Sequence, residues 1–327
     1  LRRGLLAVST VIWLLVWAWI AGSFYHFEFL PKPVGLLGIG LWLAVPAWAV
    51  GRFGWRRAAM GAAAFGLTWA AVFVWVQRPR LDRDWTADNR RVVQVRFSDN
   101  GRHVEIQNVR NFRFATPEKF TEDWQTRRYD LATVRSVDFV LEPLPSVHGM
   151  AHTLLSFGFA DGRHLAVSVE IRKEVGEEFH PVTGLFRRYE LIYVVADERD
   201  QLGLRLNARG HDLKLYPIDA DPKTVRKVLT AMLKRAEKLG RVPEFYHTLR
   251  STCTTNLVRH LDELDDEPLG WQWRVLLPLY ADELAWELGL IGGAGSLEEA
   301  RSRYRAHGPI PADVDERTFS KRLRAGR

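Results

Sequence analysis

Cysteine is almost absent from this sequence, since Cys253 is the only one among 327 residues. A lone thiol excludes a disulfide within the chain, so Cys253 is either a small buried side chain or a nucleophile. The sequence also lacks a Gly-x-Ser-x-Gly elbow, a phosphate-binding loop and a dinucleotide fingerprint in a credible context. Cys253 is therefore the residue whose role has to be explained.

Charged residues are missing from three stretches near the N-terminus, residues 4–25, 34–51 and 58–76. Each stretch is long enough, or nearly so, to cross a bilayer core of about 30 Å. A cleaved signal peptide is the alternative for the first stretch, but its apolar run is too long and two more hydrophobic stretches follow it. We therefore predict that residues 1–79 form a transmembrane anchor of three helices.

Basic residues are distributed unevenly around these stretches. Five arginines lie before the first stretch or between the second and the third: Arg2, Arg3, Arg52, Arg56 and Arg57. Because basic residues favour the cytoplasmic side of a membrane, we expect the N-terminus in the cytoplasm. The chain after Arg78 is then expected on the outer side.

The formal net charge of +7 does not indicate a nucleic-acid partner. Residues 1–78 hold seven basic and one acidic side chain, which leaves 39 basic and 38 acidic ones in the remainder. The remainder is close to neutral, so the basic excess is mostly a signal of membrane topology. The partner that this pattern indicates is the lipid bilayer, and no nucleic acid is predicted.

The part after Arg78 is predicted to be α+β, with strands first and helices later. Alternating apolar residues and turn signals predict two hairpins and a further strand, at 92–106, 152–171 and 191–195. A capping Asp221-Pro222 pair and an apolar stripe predict a helix that ends near Gly240. The predicted divisions are a β-rich segment at 80–150, a core at 151–266 and a helical segment at 267–327.

Cys253 follows a polar loop and begins a predicted helix. Ser251 or Thr252 is a suitable N-cap, which places the thiol in the first turn, where backbone N–H groups and the helix dipole stabilise a thiolate. Three leucines share its face, which is expected to pack on the sheet: Leu257, Leu261 and Leu264. Cysteines in an oxidising compartment usually form disulfides, so a catalytic role would explain why an unpaired one is present. An inert buried thiol is the alternative.

A cysteine nucleophile needs a base, and His152 begins a predicted strand with small neighbours beside the imidazole. If residues 160–162 form a three-residue turn, the hairpin register places Glu170 directly opposite His152. The carboxylate would then orient the ring and stabilise its charged form. A two-residue turn at Asp161-Gly162 would instead move Glu170 to the other face of the sheet.

A metal site is not predicted. His148 and His152 are four residues apart, but Gly149 argues against a helix between them and no further ligand lies nearby in the sequence. Residues 197–200 carry three carboxylates that could bind a cation, although a charged loop after a buried strand is the commoner explanation.

Four ordered motifs resemble the periplasmic domain of Lnb-type bacterial lipoprotein N-acyltransferases. They are Ala151–Phe159, Ser168–Arg172, Tyr189–Asp200 and Cys253–Thr255, and the segments Asn108–Arg113 and Phe319–Arg322 also fit. The resemblance covers roughly residues 90–325 and implies Cys253 as nucleophile and His152 as base. The Asn-Asn pair usual before the cysteine is here Ser251-Thr252. Glu170 as the orienting residue rests on the register as much as on the family.

The resemblance also implies a fold and a reaction. The order of histidine strand, carboxylate strand and cysteine helix is similar to the permuted papain-like fold of NlpC proteins and lecithin:retinol acyltransferases. The family implies transfer of an acyl chain from a membrane phospholipid, through a Cys253 thioester, to the N-terminal cysteine amine of a diacylated lipoprotein. It implies a multi-pass protein of the bacterial inner membrane with a periplasmic catalytic domain and no cofactor.

Three further residues are candidates for substrate binding. Arg172 could meet a lipid phosphate or pair with Glu170, Tyr246 could donate to the oxyanion or merely pack, and Ser156 lies on the face of His152. Two other functions stay open at this point. One is a papain-like cell-wall amidase or peptidase with the same catalytic residues, and the other is a non-catalytic membrane-anchored binding module.

Overall fold

The chain divides into two compact units in the computed structural model. One comprises Leu1–Arg80 with Phe179–Tyr189, and the other comprises Leu81–Glu178 with Glu190–Arg327. The structure describes residues 2–145, 149–263, 268–270, 272–311 and 313–325, with side chains from Val8 onwards.

The first unit is built on long apolar helices: α1 (Arg2–His26), α2 (Lys32–Phe53) and α3 (Trp55–Val76). Among the described residues, these three helices are long and apolar enough to cross a membrane by length and composition. They lie where the uncharged stretches predicted them. Close packing between them depends on small residues, since a Cβ on Gly35 would lie only 2.5 Å from the carbonyl oxygen of Phe24.

Residues 179–189 belong to this first unit although they lie between two strands in the sequence. The side-chain amide of Gln77 donates hydrogen bonds to the carbonyl oxygens of Phe186 and Arg187, at 2.9 and 2.8 Å. The Phe186 ring stacks on the rings of Trp19 and His26. These contacts hold the segment against the helices, which the sequence pattern did not predict.

The second unit contains a mixed sheet with the order β1-β2-β9-β8-β7-β6-β10, and β5 also pairs with β2. A separate small sheet joins β3 and β4. The strands are β1 (Gln94–Ser98), β2 (His103–Arg110), β3 (Arg113–Phe114), β4 (Phe120–Thr121), β5 (Trp124–Asp130), β6 (Val134–Pro143), β7 (Ala151–Phe159), β8 (His164–Arg172), β9 (Glu190–Asp197) and β10 (Lys214–Pro217).

Helices cover both faces of this sheet. They are α4 (Glu198–Gly203), α5 (Pro222–Leu239), α6 (Cys253–Asp262), α7 (Trp273–Leu276), α8 (Ala281–Glu287), α9 (Leu297–Arg303) and α10 (Glu316–Leu323). Side chains alternate between faces along β7. Thr153 meets Thr254 of α6, whereas Leu154 packs in a cluster with Leu202 of α4 and Phe319 of α10. The α+β class is confirmed, and the papain-like comparison stays a prediction.

The hairpin of β7 and β8 has the three-residue turn that the sequence predicted. The amide of Phe159 donates to the carbonyl oxygen of Arg163 at 3.0 Å, and Gly162 has a left-handed φ of +83°. The paired residues run from Leu154 with Ser168 to Gly158 with His164. Within this fully described hairpin, pairing stops before His152 and Glu170, which the same register sets opposite each other. The two strands therefore separate where the candidate site lies.

Candidate active site

Thr252, not Ser251, is the N-cap of α6. Its Oγ1 accepts a hydrogen bond from the amide of Thr255, and the Thr255 Oγ1 accepts one from the amide of Thr252, at 3.2 and 2.6 Å. This reciprocal capping box fixes the start of the helix. Cys253 is consequently the first helical residue, as the sequence predicted, whereas Leu264 of the predicted face lies outside the described residues.

The thiol of Cys253 is buried, with 7% of the residue exposed. Burial alone would raise its pKa, but a hydrogen bond from the His152 side chain and the charge of that imidazole outweigh burial and lower the pKa of Cys253 to about 6. The amide and the hydroxyl of Thr153 act in the same direction. The thiolate form is therefore favoured at neutral pH.

His152 lies on β7, one residue before Thr153, in the part of the hairpin where pairing with β8 has ended. Its Nε2 atom lies 2.6 Å from Ser168 Oγ and 3.9 Å from Glu170 Oε1. The hydroxyl of Ser168, which is fully buried, thus lies within hydrogen-bonding distance of this nitrogen. Glu170 is close enough to act through its charge, but it does not make that hydrogen bond.

A second carboxylate lies on the other side of His152. Glu142 is the register partner of His152 on β6, and its Oε2 accepts from Arg205 Nε at 2.8 Å. Arg205 also donates from Nη2 to Glu170 Oε1 at 3.0 Å. One guanidinium, 2% exposed and carried on a π-helical turn at Leu204–Ala208, therefore binds both carboxylates that flank the imidazole.

These carboxylates are held as anions. Burial would raise the pKa of Glu142, but the charge of Arg205 and a hydrogen bond from His211 outweigh burial and lower it to about 2. Burial would likewise raise the pKa of Glu170, but the charges of Arg205 and then of His152 outweigh burial and hold this pKa well below its usual range. Two negatively charged side chains therefore lie beside His152.

None of the three candidate substrate-binding residues is among the described contacts of the Cys253 thiol. Ser156 Oγ donates to Glu198 Oε1 at 2.6 Å on the α4 face of the sheet. Arg172 donates to the carbonyl oxygens of Asn89 and Arg90, and its guanidinium lies 4.2 Å from the Trp85 ring. Tyr246 is buried in the segment between α5 and α6.

The surroundings of Arg172 bear on its candidate role as a lipid-phosphate ligand. Burial lowers the pKa of its guanidinium to about 10, although the charge of Glu190 opposes the shift. The guanidinium of Arg172 is already bound by Asn89, Arg90 and Trp85, so its position needs no lipid phosphate to explain it. No pairing with Glu170 is among its described contacts.

The carboxylates of residues 197–200 bind arginines. Asp197 pairs with Arg127 at 2.7 Å, and Asp200 accepts from both Nε and Nη2 of Arg110. Glu198 forms a group with Asp138 and His164, whose ligand atoms lie within 4.8 Å of one another. The guanidinium of Arg324 already bridges Asp138 and Glu198 there, so this donor set fits a salt bridge better than a cation. His148 lies outside the described residues.

Three of the site's groups were not found from the sequence. Ser168 is two residues from Glu170 on the same strand and therefore on the same face, so the alternation could have revealed it. Glu142 required the pairing of β6 with β7. Arg205 required the placement of the π-helical turn, for which the local sequence gives no signal.

One of the comparisons with known proteins found a match. The model of the Lnb N-terminal periplasmic domain family matches residues 120–278, which include β5 to α7. Neither a curated protein nor a solved structure matches. The matched segment carries His152, Ser168, Glu170, Arg205 and Cys253. Together with the three apolar helices, the match indicates a membrane-anchored protein with a periplasmic domain that acts in lipoprotein processing. The match therefore identifies residues 120–278 as similar to the Lnb N-terminal periplasmic domain, the family that the sequence motifs resemble.

Proposed function

We propose that this protein is a lipoprotein N-acyltransferase that works through an acyl thioester on Cys253. The observation that carries the proposal is the buried Cys253 thiol in the first turn of α6, whose pKa the His152 side chain lowers to about 6, in a segment that matches the Lnb family. A non-catalytic binding module would be favoured by a Cys253 sulfur far from every imidazole ring. The contact with His152 weighs against that alternative.

In the first step, the Cys253 thiolate attacks the ester carbonyl of a membrane phospholipid. A C–S bond forms, and the carbonyl oxygen takes the negative charge. The backbone N–H groups of Cys253 and Thr254 have no acceptor within the helix, because they belong to its first turn. They are the donors available to this oxyanion. The ester C–O bond then breaks, and the His152 imidazolium gives its proton to the departing lysophospholipid oxygen.

In the second step, the α-amine of a diacylglyceryl-cysteine at the N-terminus of a lipoprotein attacks the thioester. A C–N bond forms, the C–S bond breaks, and Cys253 leaves as a thiolate. His152, now neutral, takes the proton lost by the amine and returns to its starting state. Both substrates are held in the bilayer, which accounts for a catalytic domain carried on apolar helices.

The mechanism is tested by intact-mass spectrometry of the full chain in phospholipid nanodiscs. The wild type should gain one acyl mass that neutral hydroxylamine removes, and Cys253→Ala should gain none. Addition of a diacylated lipopeptide should then discharge the wild-type adduct and add the same acyl mass to the peptide.

Two outcomes would contradict the proposal. Equal adducts on both proteins, or an N-acylated peptide formed by Cys253→Ala, would remove Cys253 from the mechanism. Release of free fatty acid or cleavage of a cell-wall peptide, with the lipopeptide unchanged, would instead indicate a hydrolase with the same catalytic residues.

A further inference from the structure

An apolar cavity of about 150 Å³ lies in the second unit, between the sheet and the helices α5, α6 and α8. Its wall includes Leu155 of β7, Val225 of α5, Val258 of α6 and Leu284 of α8. Among the described residues that line it, the only polar ones are two threonines, and none is charged. An occupant of this cavity must therefore be apolar and uncharged, because a buried charge without a partner is costly.

The cavity adjoins the nucleophile. Thr254, which follows Cys253, is one of its lining residues, and its hydroxyl lies 3.8 Å from the Cys253 sulfur. The same hydroxyl lies 3.1 Å from Thr153 Oγ1, and Leu155 lines the cavity from the same face of β7. Leu257, one turn along α6 from the cysteine, also lines it. A chain bonded to the sulfur therefore has an apolar space beside its point of attachment.

We infer that this cavity holds the part of the donor acyl chain nearest to the thioester carbonyl. The inference rests on the proposed function and specifies how that function selects its acyl chain. A dry apolar cavity of this volume accommodates a molecule of about six carbon atoms, such as benzene. The cavity thus takes a segment of an acyl chain rather than the whole of it, and it disfavours a peptide, whose amide groups would have no partners there.

The test uses a matched pair of substitutions at Val258, which is partly buried in the cavity wall. Val258→Phe fills the space and Val258→Ala enlarges it. The full chain is incubated with an equimolar mixture of dibutanoyl and dioctanoyl phosphatidylethanolamine, of which only the longer chain can fill the cavity, and the two thioester adducts are measured by intact mass. Excluding one methylene group costs about fourfold in binding, so exclusion of two lowers the ratio of long-chain to short-chain adduct in Val258→Phe by more than about tenfold. Val258→Ala should raise this ratio.

Val242→Phe is the control, because Val242 is exposed and does not line the cavity. The alkylation rate of Cys253 by iodoacetamide reports separately whether each variant retains the folded site. An unchanged chain-length ratio in both Val258 variants, with wild-type acylation and normal alkylation, would overturn the cavity assignment and leave the thioester mechanism intact. Absence of any acyl adduct on the wild type would overturn both.

Discussion

The protonation of Cys253 can be measured directly, and the contact with His152 predicts its pH dependence. The pKa of Cys253 is lowered from 9.0 to about 6. The thiolate fraction then rises with pH and reaches one half near pH 6. At pH 7 about 90% of the molecules would carry a thiolate, against about 1% for a thiol with the unshifted value.

The rate of alkylation at a single pH is a weak test of this difference. The nucleophilicity of a thiolate falls with its pKa, by a Brønsted slope of about 0.4–0.5. Three pKa units therefore cost about twentyfold in reactivity per thiolate, which leaves a net gain of only about fourfold at pH 7. The midpoint of the full pH profile is the decisive quantity, because it does not depend on nucleophilicity.

The assay is the pseudo-first-order rate of iodoacetamide modification of Cys253, followed by mass spectrometry across a pH series. The substitution His152→Ala removes the hydrogen bond and the charge that lower the pKa, and burial, which raises it, remains. We expect the midpoint to move from about 6 to above the ordinary cysteine value of about 8.5. His103→Ala is the control, since His103 is partly exposed on β2 and contacts Asp99 and Asp130 instead. A wild-type midpoint near 8.5, or one that His152→Ala leaves unchanged, would refute the proposed activation of the thiol.

Three further predictions concern the groups around this pair. Ser168→Ala removes the hydroxyl at 2.6 Å from His152 Nε2 and should lower the rate of thioester formation by about tenfold or more, with little change in KM, because it misplaces an acid–base group. Arg205→Met leaves the buried Glu142 and the partly exposed Glu170 without their shared cation. It should lower the free energy of unfolding by about 3–5 kcal/mol, measured by thermal unfolding. A decrease below about 1 kcal/mol would contradict the role of Arg205 as their shared partner. Thr252→Ala removes the N-cap of α6 and should cost about 1 kcal/mol, whereas Thr252→Ser should restore most of the stability.

The features that the sequence predicted depend on residues close together in the chain. The position of Cys253 follows from the capping chemistry of residues 251–255, and the hairpin register follows from the turn at residues 160–162. Turn type and helix capping are local interactions, so they can be deduced without knowing the rest of the fold. The three apolar helices are equally local, because length and composition decide them.

The groups that the sequence did not predict depend on pairing between distant segments. Glu142 meets His152 only because β6 and β7 pair in one particular register. Arg205 reaches both carboxylates from a π-helical turn that lies after β9. The residues that carry the family resemblance include buried structural contacts: Asp200, from one of the four motifs, binds Arg110, from the segment Asn108–Arg113, and both side chains are buried. A motif in this sequence therefore marks a buried contact as readily as a catalytic group.

The position of Arg205 affects which neighbour of His152 is expected to matter more for activity, Glu170 or Ser168. At 3.9 Å, the attraction between Glu170 and a charged His152 would be roughly 4 kcal/mol for an effective dielectric constant of about 20. The Arg205 guanidinium lies nearer, 3.0 Å from the same oxygen, so much of the carboxylate's field is already balanced by a fixed cation. The hydrogen bond between Ser168 Oγ and His152 Nε2 is 2.6 Å long, shorter than the 3.9 Å from that nitrogen to Glu170, so we expect it to contribute more to the orientation of the ring. We therefore expect Glu170→Gln to slow thioester formation less than Ser168→Ala does, and the reverse order would show that charge, not ring orientation, is the main contribution of this strand.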